Sequence, residues 1–160
     1  MSLAAQLLAK ATESGVMIAS AESCTGGMLA AALTDLPGSS MMFDRGFVTY
    51  TNAAKMELLG VSAETLRTHG AVSEETADEM ATGALARSDA QIAVSITGIA
   101  GPGGSDHKPE GRVCFGLATA GKHTTATQEF GALGRDTVRV KARDHALALL
   151  LSAVMELPPK

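Results

Sequence analysis

Ser23, Cys24 and Thr25 stand side by side in Ile18-Ala19-Ser20-Ala21-Glu22-Ser23-Cys24-Thr25-Gly26-Gly27, and a hydroxyl or thiol so placed can act as a nucleophile. An apolar run from Val16 to Ala19 precedes them, and the Ala-rich segment 28–33 follows the glycines. That order reads as strand, tight turn and helix start. The first turn of a helix offers N–H groups without intrahelical partners and a partial positive charge, which suits an anion or a developing oxyanion. Gly26 and Gly27 would let a ligand approach the backbone closely. The same stretch also reads as a plain capped turn with Ser23 or Thr25 as N-cap. Residue types alone leave both readings open.

Two more segments share this character. Tyr50-Thr51-Asn52-Ala53-Ala54-Lys55 again runs from a strand into a helix start. Thr97-Gly98-Ile99-Ala100-Gly101-Pro102-Gly103-Gly104 is a glycine-rich loop after an apolar strand, unusually long for a compact domain. In open α/β sheets ligands sit outside the carboxyl ends of the strands, so three strand exits can converge on one crevice. No segment is a nucleotide fingerprint. The glycine-rich loop lacks the Lys-Ser/Thr ending of a P-loop, and neither glycine cluster has the dinucleotide spacing.

The elements that must position these residues follow from periodicity and punctuation. Helices are expected over 2–14, 26–35, 52–58, 62–70, 73–87 and 136–156, the second and last stopped by Pro37-Gly38 and Pro158-Pro159. Asn52 is the expected N-cap of the third. Strands are expected over 16–20, 46–50 and 91–97, with a β-hairpin of 112–120 and 122–130 about Gly121. Helices before and after apolar strands imply a single α/β domain over 1–160. It should be a three-layer α/β/α sandwich with a mixed sheet of about five strands, the last two antiparallel.

Composition narrows the function. A net charge of −4 and the lack of a long basic run argue against nucleic acid as partner. No stretch has the length of a membrane span and no signal peptide precedes the first helix, so a cytoplasmic protein is expected. With no Trp, one Tyr and four Phe, aliphatic residues and Ala must fill the core, which makes the lone Tyr50 conspicuous. Cys24 and Cys114 form neither a metal pair nor a disulfide framework. His69, His107, His123 and His145 are scattered without metal spacing.

Taken together, Ala21-Glu22-Ser23-Cys24-Thr25-Gly26-Gly27, Gly46-Phe47-Val48-Thr49-Tyr50, Tyr50-Thr51-Asn52-Ala53-Ala54-Lys55, Gly70-Ala71-Val72-Ser73 and Gly98-Ile99-Ala100-Gly101-Pro102 resemble the CinA C-terminal domain family. The five motifs occur in the family's order over about 5–155. The chain resembles the stand-alone form rather than relatives with an additional N-terminal domain. The resemblance implies an amidase that converts nicotinamide mononucleotide to nicotinic acid mononucleotide and ammonia. It also implies a three-layer sandwich, a dimer or larger oligomer, and no metal or organic cofactor.

Matched motif by motif, the resemblance makes Ser23 the nucleophile, Lys55 its base and Tyr50 their companion. Lysine's ordinary pKa is about 10.4, so a base working near neutrality needs a drop of about three, roughly 4 kcal/mol. Tyr50 would relay the proton or hydrogen-bond Ser23; otherwise it ends a strand with its ring packed. Cys24 is the rival nucleophile, or an inert buried thiol. The N–H groups of Thr25, Gly26 and Gly27 would form an oxyanion hole or a phosphate cradle. Glu22 would face the pyridinium charge or complement the helix dipole. Donors for the phosphate are expected from Thr97, Gly98 and the loop to Gly104, with Arg139 favoured over Arg45 and Arg135. A non-catalytic nucleotide- or partner-binding module using the same crevice is the alternative.

Overall fold

The computed structural model describes residues 1–105 and 107–157. The expected stop at Pro158-Pro159 lies outside the described residues. Helix α1 (Leu3–Ser14) opens on Ser2, whose hydroxyl accepts from the Ala5 N–H, and closes on Gly15 in the left-handed conformation. Strand β1 (Ile18–Glu22) starts two residues later than expected. The reason is local: the Val16 N–H donates to the Ala11 carbonyl, closing the end of α1 instead of entering the sheet. Helix α2 (Met28–Thr34) follows, then a single turn of tighter helix over Ser39–Met41 that the sequence reading did not anticipate.

Strand β2 (Phe43–Val48) begins three residues before the expected 46 and ends two before Tyr50. Its polar Asp44-Arg45 opening is tolerated because β2 lies at the sheet edge, where one side of the strand meets solvent. Thr51, not Asn52, caps α3 (Asn52–Leu59), its hydroxyl accepting from the Ala54 N–H at 3.1 Å. Ser62 and Ser73 cap α4 (Ala63–His69) and α5 (Glu74–Ala86) in the same way, at 3.0 and 3.1 Å. Strand β3 (Ile92–Gly98), the hairpin β4 (Arg112–Thr119) and β5 (Lys122–Glu129), and the long α6 (Arg135–Glu156) complete the order.

The sheet runs β2-β1-β3-β4-β5, with the first three strands parallel and β4 and β5 antiparallel to their neighbours. This is the expected mixed five-stranded sheet between two helical layers. Side chains alternate across the sheet, and the two faces differ in size. Ile18, Ile92, Val94 and Ile96 point into a large core completed by Leu7 of α1, Leu29 of α2 and Val138, Ala142 and Leu150 of α6. The opposite face of β1 and β3 carries Ala19, Ala21 and Ala93 against Leu59, Val61, Met80 and Ala84. Such small residues bring α5 almost onto the sheet: the Ser95 hydroxyl donates to the Ala77 carbonyl at 2.5 Å. A Cβ on Gly116 would lie 2.3 Å from that same carbonyl oxygen.

Candidate active site

Because β1, β2 and β3 are parallel, their carboxyl ends open on one edge of the sandwich. Ser23 directly follows β1, its N–H still bonded to the Ile96 carbonyl of β3 at 2.9 Å. Period-two alternation turns Ser23 toward the same face as Ala19 and Ala21, the face that α3 covers. Lys55 lies in the first half of α3 and reaches back toward the sheet. Its Nζ is 2.9 Å from Ser23 Oγ, 3.0 Å from the Thr49 carbonyl and 3.1 Å from the Tyr50 carbonyl. Lys55 is only 1% exposed and Ser23 7%. Burial, which disfavours the ammonium, pushes the Lys55 pKa down to about 8.

These two side chains lie in the wall of a cavity of about 320 Å³. The glycine-rich loop from Gly98 to Ser105 supplies much of the rest, with Ala71 and Val72 from the α4–α5 connection. Among the described residues the walls carry Lys55, Lys108 and Arg135 and no carboxylate, so the cavity favours an anionic guest. Lys108 Nζ donates to the carbonyls of His69 and Val72 at 2.6 and 2.5 Å. Arg135 donates to the Gly101 carbonyl and to the Tyr50 phenol oxygen, both at 2.8 Å. The cavity lining includes Thr97 and Gly98; the Thr97 hydroxyl donates to the Ala71 carbonyl at 2.8 Å.

Several expected site residues sit elsewhere. Glu22 is fully buried, and its two carboxylate oxygens accept from the N–H groups of Leu29 and Ala30 at 2.9 and 3.0 Å. The protein's own carboxylate therefore occupies the Leu29 and Ala30 amides at the start of α2, where it complements the helix dipole. Glu22, Thr25, Gly26, Gly27 and Arg139 are not among the cavity walls. The Gly26 N–H is used by the Ser23 carbonyl at 3.0 Å, and Thr25 is fully buried. Arg139, expected at the phosphate, turns its guanidinium to the carbonyls of Cys24 and Thr25.

Tyr50 reaches Lys55 and Ser23 through its carbonyl, the Ser23 hydroxyl donating to it at 3.4 Å. Its phenol, half exposed at the cavity, is bonded to Arg135 and not to Ser23. Cys24 also lines the cavity, but burial raises its pKa to about 11, which favours the protonated thiol over the thiolate. The sequence reading missed Lys108 and the Thr49 carbonyl. A cation within a glycine-rich loop was the available signal for Lys108, whereas a backbone carbonyl leaves no trace in residue type. Among the described residues no cluster of three His, Cys, Asp or Glu side chains has a metal-binding arrangement.

Comparison with known proteins gives four findings. The family model described as CinA C-terminal domain matches residues 1–154. Nicotinamide-nucleotide amidohydrolase PncC of Enterobacter agglomerans is 54% identical over 139 residues, covering 86% of this chain and 84% of that protein. A CinA-like protein of Chloroherpeton thalassium is 61% identical over 109 residues, 68% of this chain but only 26% of its own length. Among solved structures, the competence/damage inducible protein CihA from Agrobacterium tumefaciens superposes with a TM-score of 0.92 at 48% identity, covering 96% of this chain and 94% of that one.

Proposed function

Since the chain belongs to the CinA C-terminal domain family, we propose that it hydrolyses the carboxamide of nicotinamide mononucleotide to nicotinic acid mononucleotide and ammonia, with Ser23 as nucleophile and Lys55 as its base. The name and high coverage of the PncC relative support the substrate. One observation carries the mechanism: a buried lysine of lowered pKa stands 2.9 Å from a serine hydroxyl at the wall of a cavity lined by cations.

A neutral lysine has two N–H bonds and one lone pair. The Thr49 and Tyr50 carbonyls accept the two N–H groups, which leaves the lone pair for the Ser23 O–H once that hydrogen turns from the Tyr50 carbonyl to Nζ. Ser23 Oγ attacks the carboxamide carbon as its proton passes to Lys55. Lys55 then returns that proton to the departing nitrogen, the C–N bond breaks, and ammonia leaves an ester on Ser23. Water attacks the ester with Lys55 again taking the proton, and the ester C–O bond breaks as Ser23 recovers its hydrogen. The same carbonyls hold the ammonium that forms at each step. Arg135 and Lys108 provide the positive charge for the substrate phosphate, in place of Arg139.

The test incubates purified protein with nicotinamide mononucleotide and follows both ammonia and nicotinic acid mononucleotide. The proposal expects the two products in equal amounts. Tight nucleotide binding without release of either would instead identify a binding module.

A further inference from the structure

Arg139 reaches the Ser23 turn from α6 and is not among the residues that line the cavity. Its Nε donates to the Cys24 carbonyl at 3.0 Å and its Nη2 to the Thr25 carbonyl at 3.3 Å. Nη2 also packs against bare backbone, since a Cβ on Gly26 would lie 3.5 Å from it. The flanking residues Val138 and Ala142 are fully buried, which fixes the stretch of helix from which Arg139 projects. On the other side of the turn, Glu22 grips the first amides of α2.

The turn between these two anchors needs such bracing. Gly26 and Gly27 both have positive φ, +56° and +108°, and neither has a side chain to pack. Each carbonyl held by Arg139 belongs to a rigid peptide plane. Fixing the Cys24 and Thr25 carbonyls therefore fixes the path of the chain immediately after Ser23. The guanidinium fork suits this task because it offers several donors in one rigid plane, which an ammonium does not.

We infer that Arg139 is a positioning residue for the amide hydrolysis: through the Cys24 and Thr25 carbonyls it holds the turn that aims Ser23 Oγ at Lys55, and it does not touch the substrate phosphate. This rests on the amidase reading of the same site. The two roles separate in kinetics. A phosphate ligand acts on substrate binding, whereas a brace acts on the geometry of attack, where a misplacement of about 1 Å lowers a rate by about 100-fold.

Arg139→Ala and Arg139→Lys are compared with wild type on nicotinamide mononucleotide and on p-nitrophenyl acetate, a neutral ester without phosphate whose acetyl transfer to Ser23 is read by mass. The brace predicts a fall in kcat of about 10- to 100-fold with KM within about threefold of wild type. It predicts a similar loss in Ser23 acetylation, and partial rescue of Arg139→Ala by guanidinium ion below denaturing concentrations. If Arg139→Ala fails to fold, Arg139→Lys decides, because it keeps the charge but not the fork. A KM raised about tenfold with kcat and ester reactivity intact would overturn the brace in favour of a phosphate contact, and unchanged kinetics would overturn it outright. A wild-type protein that acetylates Ser23 but releases no ammonia would sink the amidase reading alone, leaving the ester arm to judge the brace.

Discussion

At pH 7 a lysine of ordinary pKa is neutral in fewer than about one molecule in a thousand, whereas one with a pKa near 8 is neutral in about one in ten. Burial of Lys55 thus supplies the neutral amine that the proposed base role needs, with no carboxylate among the described residues of the cavity wall. Its titration should govern the rate: kcat/KM rises with pH through about 8 and levels off above it, because only the deprotonated amine accepts the Ser23 proton. Lys55→Arg keeps a positive charge that cannot be removed, and should lower turnover by about 100- to 10,000-fold. A flat profile between pH 6 and 9, or an active arginine variant, would show that Lys55 only binds. At this scale the motifs made Ser23 and Lys55 legible in the sequence. The mode of action of Tyr50 was not, because its contact with the pair uses a carbonyl that every residue type possesses.

The elements that bring Ser23 and Lys55 together depend on close backbone approach as much as on apolar burial. Helix α5 supports α3 from behind, and a Cβ on Gly83 would lie 2.0 Å from the Leu59 carbonyl oxygen at the end of α3. Gly83→Ala must push the two helices apart. The expected result is a loss of about 1–3 kcal/mol in denaturant unfolding, with reduced activity because α3 carries Lys55. An unaltered midpoint and rate would mean that the contact relaxes freely. Helix starts at Ser2, Ser62 and Ser73 were readable because a hydroxyl before an apolar period is a local signal. The start of α2 was legible only as two alternatives, for a physical reason. A helix N-terminus attracts an anion, and sequence cannot tell an external anion from the chain's own Glu22 carboxylate six residues upstream of Met28. Arg135 and Arg139 likewise lie one helical turn apart, and only coordinates separate the one that faces the cavity from the one that faces the turn.

Across the whole molecule, the parallel arrangement of β1, β2 and β3 gathers three distant segments at one edge, and the alternation of apolar strands and helices was enough to anticipate it. The large core on the opposite face carries an ionisable group of its own. His145 of α6 lies against Phe115 with ring centroids 4.6 Å apart, and burial lowers its pKa. Burial therefore favours the neutral imidazole in the folded chain. Below the unfolded pKa of about 6.5 the unfolded chain binds this proton more readily than the folded one, so stability falls as pH drops. Urea unfolding should show a loss of stability between pH 7 and 5 that is smaller in His145→Gln. An equal loss in both proteins would assign the acid sensitivity to other groups.

The central claim, that the Ser23 hydroxyl attacks the carboxamide, is tested most directly by ammonia release from nicotinamide mononucleotide in Ser23→Ala and Cys24→Ser. The account predicts that Ser23→Ala loses activity by about 1,000-fold or more while Cys24→Ser keeps most of it. Near-normal release by Ser23→Ala, or abolition by Cys24→Ser alone, would contradict it.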